Sequence, residues 1–100
     1  MTFANAGRLG ASPGRRDELV EHLTRRRPVL QDAGCRLYEV GVSSDDPDAV
    51  FVVEVWTSAD AHRASLELPE VQASIAEARP LLSGDFSGFR FDVVGSPLRG

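Results

Sequence analysis

The sequence has no lysine, one cysteine, one tryptophan, one tyrosine and two histidines in 100 residues. With Cys35 alone, an intrachain disulfide is excluded, and His22 and His62 beside it give no zinc-type ligand spacing, so no metal is expected. No apolar run approaches the roughly 18 residues of a membrane span. The start, Met1-Thr2-Phe3-Ala4-Asn5, lacks a basic region followed by an apolar one, so no secretory signal and no membrane partner are expected, and the cytoplasm is the expected compartment. Eleven basic residues, all arginine, stand against 15 acidic ones, a net charge of −4. Phosphate binding normally needs a net basic face, so nucleic acid is not an expected partner. The length supports one core without staples and does not support two.

What is present has the periodicity of a mixed α and β domain. Residues 2 to 9 place Phe3, Asn5, Gly7 and Leu9 on one side of a strand and Ala4, Ala6 and Arg8 on the other. Ser12-Pro13-Gly14 is turn chemistry, after which Leu19, Val20, Leu23 and Leu30 recur at helical spacing. Pro28 lacks a donor and is expected to kink or end that helix near Arg27, leaving Arg25-Arg26-Arg27 in its last full turn. Gly34 closes the segment. Cys35 to Val42 and Val50 to Trp56 read as two strands joined by the polar turn Ser43 to Asp48, which is too short for a parallel crossover. Thr57-Ser58-Ala59-Asp60 is a capping signal for a short helix through Leu66. Pro69 opens a further helix with Val71, Ile75, Ala78 and Leu82 along one stripe, broken by Pro80 to Gly84. Phe86, Phe89, Phe91 and Val93 give the last strand, and Gly95 to Gly100 a tail.

The order strand, helix, strand, strand, helix, strand is the α+β, ferredoxin-like βαββαβ sandwich with an antiparallel sheet. Its middle strands are apolar on both faces: Phe51, Val53 and Val55 on one, Val52 and Trp56 with Glu54 on the other. The chain supplies helices to cover one face only. A homodimer packed sheet on sheet supplies the second cover; a buried ligand or tolerated exposed apolar residues are the alternatives.

Several stretches resemble the antibiotic biosynthesis monooxygenase superfamily: Pro13-Gly14-Arg15-Arg16-Asp17-Glu18-Leu19, Gly34-Cys35-Arg36-Leu37-Tyr38-Glu39-Val40, Asp45-Asp46-Pro47-Asp48, Phe51-Val52-Val53-Glu54-Val55-Trp56, and Ala61-His62-Arg63-Ala64-Ser65-Leu66 followed by Pro69. The likeness implies a family domain over residues 1–94 with a tail over 95–100, and a dimeric α+β barrel. It also implies oxidation of a quinol, phenolic or anthrone-like aromatic by molecular oxygen without an organic cofactor or metal. Many members carry a histidine nine residues after the strand-end tryptophan, where this chain has Ser65. Here His62 follows Trp56 by six, as in the quinol monooxygenase-like branch. Haem-degrading relatives use a first-strand asparagine in the slot that Gly7 fills here and a histidine on the later helix, which this chain lacks, so haem cleavage is not expected.

The candidate catalytic residues are His62, Tyr38, Asn5 and Ser65, and the candidate substrate-binding residues are Trp56, Gly7 and Leu66. Oxygenating a phenol without a cofactor needs a base, and histidine, with an ordinary pKa of about 6.5, is suited to it; the plainer reading of His62 is a surface or supporting residue. Ser65, three residues on, shares its helix face, although a helix serine also back-bonds to its own carbonyls. Trp56 offers a flat wall with one N–H donor, or simply core. Tyr38 offers a phenol to a quinone oxygen, or to solvent or a dimer mate. Asn5 on a buried face needs a partner, either a ligand carbonyl or a neighbouring backbone group. Gly7 marks room for a ligand or a bulge. Glu39 and Glu54 read as edge positions or as partners of Arg8, Arg36 or Arg90, Cys35 as a small buried hydrophobe, and His22 as part of the charged side of the first helix. The competing function is a non-catalytic dimeric barrel that binds a small hydrophobic metabolite.

Overall fold

The computed structural model describes residues 1–99; of the tail expected over 95–100, Gly100 lies outside the described residues. Strand β1 (Phe3–Ala11) is followed by helices α1 (Arg16–Thr24) and α2 (Pro28–Asp32), strands β2 (Cys35–Ser43) and β3 (Asp46–Trp56), helices α3 (Ala59–Ser65) and α4 (Pro69–Ala78), a short 3₁₀ turn and strand β4 (Leu82–Asp92). The sheet order is β2-β3-β1-β4, with every neighbouring pair antiparallel. This is the ferredoxin-like arrangement that the element order predicts.

The first helical segment differs from expectation. It is two helices, and Arg25 to Arg27 do not fill a last turn: Arg25 (φ −61°, ψ 137°) and Arg27 (φ −134°, ψ 84°) have left helical geometry. The residue before a proline is pushed out of the α region, whereas proline itself suits the first position of a new helix, so Pro28 starts α2 rather than kinking α1. Leu30 consequently joins a different packing cluster from Leu19. At the other end, Arg79–Leu81 tighten into the 3₁₀ turn and β4 begins at Leu82, so this leucine belongs to a strand and not to the α4 stripe. Helix α3 is capped by Ser58, whose Oγ accepts the Ala61 N–H at 3.0 Å.

Two packing clusters sit at opposite ends of the covered sheet face. Ala11, Leu19, Val50, Ala78 and Leu81 form one, and Phe3, Cys35 and Trp56 the other, with Leu30, Ala33 and Tyr38 against it. The strand segments between them carry Asn5, Gly7, Val52 and Glu54, and this middle stretch floors a cavity. The opposite sheet face has no helix over it. Phe89 is 65% exposed, Val53, Phe91 and Leu37 are also exposed, and the rings of Phe89 and Phe91 stack with centroids 6.1 Å apart. Among the described residues no helix is long and apolar enough to cross a membrane.

Candidate active site

Strand pairing brings four side chains into one row on the helix-covered face. Tyr38 on β2 stands opposite Glu54 on β3, Glu54 opposite Asn5 on β1, and Asn5 opposite Arg90 on β4. Successive strands are about 4.8 Å apart, so the row crosses the whole sheet. The next row holds Val40, Val52, Gly7 and Gly88. Gly7 lies in continuous register on both sides, so it is not a bulge. A Cβ on Gly88 would overlap the carbonyl oxygen of Ala6, so the close approach of β1 and β4 requires glycine there. The glycine pair leaves the floor low.

Above this floor lies a cavity of about 980 Å³. Asn5, Gly7, Tyr38, Trp56, His62, Ser65 and Leu66, the residues singled out by sequence, all line it, together with Val71, Ile75 and Ala78 of α4 and Arg90 of β4. Trp56 ends β3 and α3 starts three residues later, which sets His62 beside the tryptophan. The imidazole lies between Phe3, at 5.5 Å between ring centroids, and Trp56, at 5.2 Å and nearly edge-on. Its Nε2 is 4.0 Å from Oε1 of Glu54.

Glu54 is the site residue that sequence reasoning missed. It is neither an edge position nor paired with an arginine: it is 8% exposed, Oε2 accepts from Asn5 Nδ2 at 3.1 Å, and Oε1 accepts from Trp56 Nε1 at 3.0 Å. Strand alternation explains the error. Arg8 points to the opposite face, where it binds Asp46 and Asp85, each within 3.0 Å. The partner of Asn5 is therefore this carboxylate and not a backbone group. A signal was available, since Glu54 is in phase with Val52 and Trp56 and an acid in an inward phase must find donors. Glu39 pairs opposite Val53 and so faces away from Glu54.

The remaining polar groups divide into committed and open ones. Ser65 is buried and its Oγ donates to the His62 carbonyl at 2.6 Å, the back-bond expected of a helix serine. Tyr38 makes no hydrogen bond through its hydroxyl among the described residues, and burial, reinforced by the Glu54 charge, pushes its phenol up to about 12. It remains a proton donor. Arg90 makes no ion pair among the described residues and supplies positive charge to the row. His22 departs from its expected place on the charged side of α1: it is 3% exposed and Nε2 lies 2.9 Å from the Ser74 carbonyl, to which it donates, tying α1 to α4 over the cavity. Its spacing of three from Leu19, the inward stripe, is the signal that finds it. Cys35 is buried as expected, its Sγ donating to the Leu37 carbonyl at 3.4 Å, and burial pushes its thiol up. No group of three metal-ligating side chains occurs among the described residues.

The family model for antibiotic biosynthesis monooxygenases matches residues 2–77. The chain belongs to this family. A candidate antibiotic biosynthesis monooxygenase from Chloroflexus aurantiacus is 36% identical, with 96% of each chain covered and a TM-score of 0.78. A second family candidate, from Deinococcus radiodurans, is 24% identical over 96% of this chain and 95% of its own, with a TM-score of 0.73. SnoaB, a cofactor-independent oxygenase from Streptomyces nogalater, is 16% identical, covered at 96% in both directions, with a TM-score of 0.78, and shares the fold. No functionally curated protein matches the chain. Membership supports a monooxygenase-type activity at the level of the family, on a small molecule and oxygen.

Proposed function

We propose that this chain is a cofactor-independent monooxygenase that oxidises a quinol, phenolic or anthrone-like aromatic with molecular oxygen. The observation that carries the reading is the position of His62. Its imidazole lines a cavity of about 980 Å³, against an aromatic wall of Phe3 and Trp56, within 4.0 Å of a buried carboxylate. A flat apolar ligand fits such walls. The fold shared with SnoaB, a cofactor-independent oxygenase, supports the same direction.

The chemistry asked of the chain is modest. His62 takes the acidic proton of a phenol or of an anthrone methylene, giving an electron-rich anion. The anion passes an electron to oxygen, the radical pair combines at a carbon bearing hydrogen, and the peroxide loses water as that carbon becomes a carbonyl. One oxygen atom enters the product and one leaves in water, and the substrate supplies all four electrons. Tyr38, held protonated, donates to a substrate oxygen. Asn5 gives one amide hydrogen to Glu54, leaving its second N–H and Oδ1 to meet a substrate oxygen or hydroxyl. The Arg90 charge on the same row favours the anion. Ser65 fixes its own helix turn, and Gly7 with Leu66 gives the ring room.

The working unit we propose is a homodimer of residues 1–94, with 95–100 as a tail, in the cytoplasm, where a lone unpaired cysteine is ordinary. Exposed Leu37, Val53, Phe89 and Phe91 on the face without helices support sheet-on-sheet pairing.

The test is oxygen uptake by chelator-treated protein with hydroquinone, naphthohydroquinone and anthrone, each against its spontaneous oxidation. Uptake above the blank that survives chelator is the expected result. No uptake, with a ligand-dependent change in Trp56 fluorescence, replaces the enzyme with a binder of hydrophobic metabolites.

A further inference from the structure

Glu54 presents an electrostatic problem that its hydrogen bonds do not solve. A carboxylate removed from water needs donors and a counter-charge, and its two donors, the amide of Asn5 and the indole of Trp56, are neutral. The titratable or charged groups around it are Tyr38 and Cys35 on β2, His62 on α3, Arg90 on β4 and, beside Tyr38, Arg27 ahead of α2, which makes no ion pair with Glu54. Glu54 opposes ionisation of the tyrosine and of the cysteine, and Arg90 is out of ion-pair range. His62 stands within 4.0 Å, with Nε2 the facing nitrogen.

We propose that Glu54 is the positioning residue of the site: its carboxylate holds His62 as the Nε2–H tautomer, leaving Nδ1 as the basic nitrogen, and carries the counter-charge of the imidazolium formed when His62 takes the substrate proton. The first half rests on the 4.0 Å approach of Nε2 to Oε1, longer than a hydrogen bond and so acting through the carboxylate's charge; the second rests on the function proposed above. An N–H directed at a carboxylate is favoured over a lone pair directed at it, and the nitrogen left without hydrogen is the one able to accept a proton. The Asn5 and Trp56 bonds fix the carboxylate rotamer, so three residues singled out separately by sequence are organised by a fourth. The same negative charge would oppose a substrate phenolate. Its benefit therefore depends on the Asn5 and Trp56 bonds that engage both carboxylate oxygens, with Arg90 on the row as compensation.

The experiment is nitrogen–proton correlation NMR of the imidazoles in the full-length protein, with His62→Ala identifying the His62 signals and leaving those of His22. The unaltered protein should show His62 as the Nε2–H tautomer, and Glu54→Gln should convert it to a mixture. Nδ1–H as the principal form in the unaltered protein, or the same Nε2–H form in both, overturns the proposal; the first result needs no Glu54 variant to fold and neither needs activity. With the substrate that the protein oxidises, Glu54→Gln should lower kcat about a hundredfold with KM changed less than about threefold. In the His62→Ala background the same substitution should cost no further rate. Full activity in Glu54→Gln overturns the counter-charge role, whereas absence of turnover in the unaltered protein defeats the proposed function and leaves the tautomer assignment to the spectra.

Discussion

Trp56 donates its indole N–H to Glu54, two residues earlier on the same strand, at 3.0 Å. Both side chains point inward because strand side chains alternate with period two, and the bond makes the flat wall of the cavity and its buried charge a single rigid unit. Asn5 completes the unit from the neighbouring strand. His62 then stands against a surface whose orientation is fixed by β3 and not by the helix that carries it.

His62→Ala should lower turnover by about 10²–10⁴-fold, the usual contribution of a positioned acid–base group, while ligand affinity measured by Trp56 fluorescence stays within a few-fold. Unchanged turnover would remove His62 from the mechanism.

Tyr38 is the one tyrosine in the sequence, so an ultraviolet absorbance titration reports it alone. The midpoint should lie near 12, above the ordinary 10, because burial and then Glu54 oppose the phenolate. Since the folded protein holds this proton more tightly than the unfolded chain, the contribution of Tyr38 to stability is complete below pH 10 and is lost as pH rises towards 12. Glu54→Gln should bring the midpoint down without reaching 10, since burial remains. A midpoint of 10 in the unaltered protein would contradict the buried placement.

The two floor glycines should behave differently. In Gly88→Ala the new methyl meets the carbonyl of Ala6, and denaturant unfolding should show a loss of about 1–3 kcal/mol. In Gly7→Val the Cβ lies 3.3 Å from the Ser87 carbonyl, a smaller strain, but the side chain fills the cavity floor. Binding of naphthohydroquinone should then fall at least tenfold while the fold, read by circular dichroism, is retained. Equal ligand affinity in Gly7→Val would show that the floor is not where the ligand sits.

Phe89→Asp and Val53→Glu place charge on the helix-free sheet face, Phe89 being 65% exposed in the single chain. Light scattering at micromolar concentration should give twice the 10.8 kDa chain mass for the unaltered protein and the single mass for the paired substitution. A monomer before substitution would undo sheet-on-sheet pairing.

Local periodicity and short motifs were enough for the order of strands and helical regions, the two-faced apolar character of β3 and seven of the residues that line the cavity. Phe51, Val53 and Val55 alternate with Val52, Glu54 and Trp56 whatever the rest of the chain does. The spacing of His62 from Trp56 and the Ser58 cap are equally local. The register between strands was not legible. Backbone pairing is nearly indifferent to which residues stand opposite, so only closure of the whole sheet set Asn5 beside Glu54 and brought Asp46 to Arg8, whose side of β1 alternation already gives. The tertiary structure likewise decided that Pro28 begins a helix and that His22 is buried against α4, since both depend on where a distant element packs. The role of Glu54 belongs to the same class: its donors come from β1 and β3 and its charge partner from α3, and no window along the chain contains all three.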